Sequence, residues 1–189
     1  DNSPSKHPPV TTPFFQGIRK SAVASLFTFI STLHALCDSP AWVPGDTNGV
    51  QLDPNVEKIA QVIMPAIMET WEAEDDRTAA IEICQSFASC LNKCGPGLIS
   101  PQWIEPTCQL TLQILEKKAP SQIDPEADED EETEDSSEYE SVLISAAMDL
   151  VGAMAYVLCD SFMTPMRQFL PLLCKYYSPG RSVTDRATA

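Results

Sequence analysis

Apolar residues along this chain recur at intervals of three and four, in blocks separated by turn formers. The clearest block runs from Asp53 to Gly95. Asp53-Pro54 predicts a helix start: a carboxylate able to accept from free N–H groups, then a proline where its missing N–H does no harm. Val56, Ile59, Ile63, Ile67 and Trp71 mark one apolar face. Glu72 to Asp75 interrupts the pattern, and Ala80, Ile83, Cys84, Phe87 and Leu91 resume it on a second helix. Gly95-Pro96 stops that helix, with Gly95 expected as a left-handed C-cap. The block is thus a helical hairpin of about 40 residues, and the rest of the chain reads as further copies of it.

The same logic predicts helices over 12–37, 53–71, 75–94, 101–118, 138–159 and 161–177, and the beginning of another over 181–189. Residues 1–11, with three prolines, are expected to be a flexible end, and 120–137 an acidic insertion. On the first helix the predicted core face is Ala22, Leu26, Phe29, Ile30 and Leu33. On the fourth it is Trp103, Ile104, Leu110, Ile114 and Leu115. On the fifth, which Ser137-Glu138-Tyr139-Glu140 would open as a capping box, it is Leu143, Ala147, Leu150, Val151, Met154 and Leu158. Trp42 falls in a stretch of turn formers.

The hairpins repeat. Ile63-Met64-Pro65-Ala66-Ile67 matches Phe169-Leu170-Pro171-Leu172-Leu173, and an aromatic follows each proline by six residues, Trp71 and Tyr177. Pro106 holds the same place between them. Second helices begin with a basic residue and then small ones, as in Arg19-Lys20-Ser21-Ala22, Arg77-Thr78-Ala79-Ala80 and Arg186-Ala187-Thr188-Ala189. Glu140 stands at the aligned place after the acidic run, a departure. A two-helix period of about 40 residues points to an all-α HEAT-repeat solenoid, an α–α superhelix built as a right-handed stack of antiparallel helix pairs.

These features resemble the karyopherin-β (importin-β) family of HEAT-repeat proteins. Gly17 to Ala22, the Glu57 to Met68 helix with Pro65 expected in its buried part, and Tyr176 to Ser182 leading into Asp185-Arg186-Ala187 carry the resemblance. It implies an internal slice of a longer nuclear import receptor, shuttling between cytoplasm and nucleus through the pore. The partners it implies are basic protein cargo (nuclear localisation signals, ribosomal proteins, histones). Through the full-length protein it also implies the Ran GTPase, which releases cargo, and nucleoporins. The alternative is a HEAT-repeat scaffold subunit with a passive acidic insertion.

Charge sharpens this picture. The net charge is −15, yet 11 acids and no base lie between Asp124 and Glu140; the remainder holds 16 acids against 12 bases. One local field, not the whole surface, is acidic, which favours a basic partner over nucleic acid. Its charges lie closer together than the ~8 Å Debye length at physiological salt and act jointly. The candidate cargo-binding residues are therefore Glu126, Asp128, Glu129, Asp130, Glu131, Glu132, Glu134 and Asp135. To these are added residues predicted on the exposed faces of second helices: Glu82, Asn92, Asp149 and Tyr156, with Ser86, Ser89 and Lys93 nearby.

No apolar run reaches the ~18–20 residues of a membrane span, so no membrane insertion is expected. Seven scattered cysteines, several on predicted apolar faces (Cys84, Cys108, Cys174), suggest reduced thiols. Cys90 and Cys94 lie one turn apart, but with two histidines, His7 and His34, and no Cys-x-x-Cys, no zinc site is predicted. There is no glycine-rich phosphate loop or nucleophile elbow, so no enzyme activity and no cofactor are expected.

Overall fold

In a computed structural model, residues 13–37, 42–43, 52–123 and 134–179 are described, and every regular element among them is helical. Helix α1 spans Pro13–Leu36, α2 Pro54–Glu72, α3 Arg77–Cys94, α4 Pro101–Leu115, α5 Glu134–Leu158 and α6 Met163–Tyr176. Short 3-10 turns occupy Pro96–Leu98, Pro120–Gln122 and Cys159–Phe162. The expected N-terminal end (1–11), the expected further helix (181–189) and residues 124–133 of the acidic run lie outside the described residues.

Helix boundaries follow from local chemistry. The Asp53 carboxylate accepts from the Asn55 N–H at 2.8 Å, and Pro54 opens α2. Asp76 caps α3 by accepting from the Ala79 N–H at 2.8 Å. Helix α4 ends at Leu115, short of the predicted 118. There Lys117 takes a positive φ of 60°, its N–H bonds the Ile114 carbonyl, and the Lys118 N–H reaches back to Gln113 at 2.7 Å. That pair of bonds is a Schellman motif with lysine where glycine is usual, and no glycine marks it in the sequence. Helix α5 starts at Glu134, so Ser137 lies inside its first turns and is not the N-cap the capping-box spacing predicts. Gly95 has φ 72° and ψ −164°, an extended positive-φ conformation and not the left-handed helical one expected.

The helices form two layers. Helices α1, α3 and α5 lie side by side with α3 in the middle, and α2, α4 and α6 pack as the second layer, α4 against both neighbours. This is the all-α HEAT-repeat arrangement. Its centre is an aromatic junction. Phe87 of α3 stacks on Phe27 of α1 at 5.0 Å and meets Trp71 of α2 edge-on at 6.5 Å. All the residues predicted for the α3 and α5 core faces are buried.

Other faces are turned from their predicted orientation. On α1 the buried set is Val23, Phe27, Ile30, Ser31 and His34; Ala22 and Phe29 are exposed, and Leu26 and Leu33 are half-buried. This helix is apolar on most of its circumference, so spacing alone leaves its orientation open, and contact with α3 decides it. On α2, Ala60, Met64 and Met68 are buried in place of Ile59 and Ile63, which are half-buried. Pro65 is exposed, not buried. Its ring frees the Gln61 carbonyl four residues back, and on an outer face water can satisfy that oxygen. Cys174 is likewise exposed, whereas Cys84 and Cys108 are buried. Tyr177 is 66 % exposed, and the neighbouring Tyr176 is the buried aromatic: its hydroxyl donates to the Leu115 carbonyl at 2.9 Å, docking α6 on the end of α4.

Helical residues 139–176 contain an 18-residue window of mean hydropathy 2.0, long and apolar enough to cross a membrane, which the sequence reading did not register. Within the fold 61 % of that window is buried, in keeping with α5's place against α3 and α4. Its apolarity serves the core.

Candidate functional site

The layer formed by α1, α3 and α5 carries the predicted second-helix residues. Glu82 of α3 is half-buried; it accepts from the Ser86 hydroxyl at 2.8 Å and faces the Lys20 ammonium of α1 at 4.0 Å. Its charge is therefore already shared, and it joins two helices as well as facing outward. Between α1 and α3 runs a cleft of about 230 Å³ lined by Phe27, Thr28, Ser31, Glu82, Gln85, Ser86, Ser89, Cys90 and Lys93. Hydroxyl, amide and both signs of charge meet there, a lining suited to an extended polar chain. Asn92 on α3 and Asp149 on α5 are exposed.

Tyr156 is 53 % exposed, but its ring meets Trp42 edge-on at 5.4 Å. Trp42 itself lies over Gly95: a Cβ on that glycine would come within 2.6 Å of the indole. The tryptophan thus bridges the end of α3 and the outer side of α5, and Gly95 is the residue that lets it approach so closely. The sequence placed Trp42 among turn formers; the lone glycine at a helix end gave the only hint of close approach.

At the helix corners a second set of polar residues converges, which sequence reasoning missed. The Arg19 guanidinium of α1 reaches Glu74 at 2.8 Å and Asp75 at 3.0 Å in the α2–α3 corner. Glu74 is almost wholly buried and also accepts from the Asp76 N–H at 3.1 Å. Burial raises its pKa above the usual carboxylate value, against the lowering effect of Asp76 and Arg19. One repeat further on, Arg77 donates to the Ser121 carbonyl at 3.0 Å in the corner after α4. Arg19 and Arg77, the two described basic residues of that pattern, therefore each grip the next hairpin's corner. The aligned Glu140 inverts the device: it accepts from Gln122 at 2.9 Å and pairs with Lys117 at 3.4 Å, both in its own hairpin's corner. A hollow of about 350 Å³ opens beside Arg77, lined also by Asp75, Asp76, Thr78, Ser121, Ile123 and Tyr139.

Of the acidic candidates, Glu134 and Asp135 open α5, while Glu126, Asp128, Glu129, Asp130, Glu131 and Glu132 lie outside the described residues. Ile123, just before that run, and Tyr139, near its end, both line the hollow beside Arg77.

No family model matches the chain. The probable importin subunit beta-4 of Schizosaccharomyces pombe (strain 972 / ATCC 24843) is 32 % identical over 187 residues, covering 95 % of this chain and 17 % of that protein. Importin-4 of Mus musculus is 29 % identical over 161 residues, 84 % of this chain and 14 % of its own length. The chain spans less than a fifth of the length of the curated relatives it matches. Alignment over nearly all of its residues, joined to a two-layer stack of paired helices, places this chain in the importin-β (karyopherin-β) family.

Proposed function

We propose that this chain is part of a nuclear import receptor, a carrier and not an enzyme, and that it helps hold basic cargo. The observation that carries the reading is the alignment of 95 % of the chain with an importin. Two features support the cargo role. Asn92 of α3 and Asp149 of α5 are exposed, and the Glu82 cleft opens between α1 and α3. The sequence adds 11 acids between Asp124 and Glu140.

Exposed ion pairs contribute about 0–1 kcal/mol each, so five or six of them with a Lys-rich segment amount to roughly a few kcal/mol. That is enough to steer and concentrate a basic partner, with the cleft and helix faces supplying the remainder. Histones and ribosomal proteins have the required charge. In the full-length receptor, Ran-GTP binding releases the cargo, nucleoporin contacts carry the complex through the pore, and the protein shuttles between cytoplasm and nucleus.

The test is fluorescence anisotropy with a labelled Lys-rich histone-tail peptide. Binding weakens steeply with added salt, and deleting Glu126 to Asp135 weakens it at low salt. Unchanged affinity after that deletion removes the acidic run from the mechanism. Failure of the full-length protein to bind Ran-GTP removes the receptor reading.

A further inference from the structure

Cys90 and Cys94 lie one turn apart on α3, both buried, with their sulfurs 3.9 Å apart. Cys90 forms part of the wall of the cleft between α1 and α3. Burial alone would make them inert core filler, and a reactive pair would ordinarily be expected to close into a disulfide. Helix geometry opposes closure. Residues four apart on a helix hold their Cβ atoms about 5–6 Å apart, whereas a disulfide needs roughly 3.5–4.5 Å.

A single atom between the sulfurs fits much better. Two thiolate–metal bonds of about 2.3 Å span 3.9 Å when they meet at an angle of about 115°. That angle suits a soft d¹⁰ ion in trigonal coordination. Among the described residues no group of three His, Cys, Asp or Glu could hold a metal, so a closed four-ligand zinc site is not formed here. Two thiolates are a sufficient protein donor set for Cu(I), the soft ion that thiolates select.

We propose that Cys90 and Cys94 form a dithiolate site for Cu(I), reached from the α1–α3 cleft and completed by one small exogenous donor. The site opens on the cleft that the proposed function gives to cargo, but it does not rest on that reading, and its test uses Cu(I) alone. Both thiols give up their protons on metallation, and Cu(I) replaces the Sγ–H···Sγ contact with two S–Cu bonds and no change of oxidation state. Uptake therefore strengthens with rising pH.

The test is anaerobic titration of the reduced chain with Cu(I) held by a chromophoric chelator. One Cu(I) per chain is withdrawn, a sulfur-to-copper absorption band appears in the near ultraviolet, and the affinity rises with pH. Cys90→Ser and Cys94→Ser each lose the band, and Cys174→Ser, at an exposed thiol, keeps it. Far-ultraviolet circular dichroism checks that each variant remains helical. A variant that keeps only this pair, with the other five cysteines changed to alanine, retains the band. Copper absorption spectroscopy on the unmutated chain reads two sulfur neighbours. No uptake by the unmutated chain, or uptake that survives Cys94→Ser or follows the exposed thiols, overturns the proposal.

Discussion

Two side-chain positions concentrate the fold's local constraints. Gly95 combines an extended positive-φ backbone with an indole where a Cβ would stand. Gly95→Ala should destabilise the chain by about 2–3 kcal/mol, from backbone strain and from displacing Trp42. Urea unfolding measures this, and the Tyr156–Trp42 contact should loosen, changing the tryptophan fluorescence. Glu74 is the other. Its folded-state pKa is raised, so the native chain holds the proton more tightly than the unfolded chain does. Stability from this group is therefore gained as pH falls through the raised pKa, and lost as pH climbs back through it. Glu74→Gln removes that titration. The slope of unfolding free energy against pH above the usual carboxylate range should be flatter in the variant than in the parent chain.

At the scale of elements, orientation is the quantity in play. Helix α1 offers phenylalanines on two faces, and the structure buries Phe27 against Phe87 while leaving Phe29 52 % exposed. Phe27→Ala should cost about 3–5 kcal/mol, whereas Phe29→Ala should stay within about 0.5 kcal/mol. Chemical denaturation of the two variants separates this orientation from the one that spacing alone suggests. The corner contacts act at the same scale. Arg19 and Arg77 each tie a helix to the next hairpin's corner, whereas Glu140, of opposite charge, ties α5 to the corner of its own hairpin. A departure in the repeat pattern is thus matched by Lys117 and Gln122, contributed by the corner itself.

For the molecule as a whole, the two layers divide the work. One buries the apolar stripes of α3 and α5 and leaves a polar surface of mixed charge; the other carries the exposed prolines Pro65 and Pro171. The acidic run adds a field that neither layer has. Deleting Glu126 to Asp135 should flatten the salt dependence of basic-peptide binding while trimming only the first two residues of α5 and leaving the unfolding midpoint nearly unchanged. That outcome would assign the run to recognition and the stack to stability.

The sequence by itself determined the helical architecture, the hairpin period, the buried faces of α3 and α5 and the location of the negative charge. Each of these depends on residues within a turn or two of one another, or on composition, and such patterns survive without knowledge of neighbours. Only the tertiary structure decided which side of α1 and α2 is core, because both helices present apolar residues over a wide arc. The same holds for Trp42 over Gly95, the corner grips of Arg19 and Arg77, the exposure of Cys174 and the docking of Tyr176 on α4. All of these except Cys174 join residues at least 44 positions apart, and that separation leaves no local trace in the spacing of apolar and polar residues.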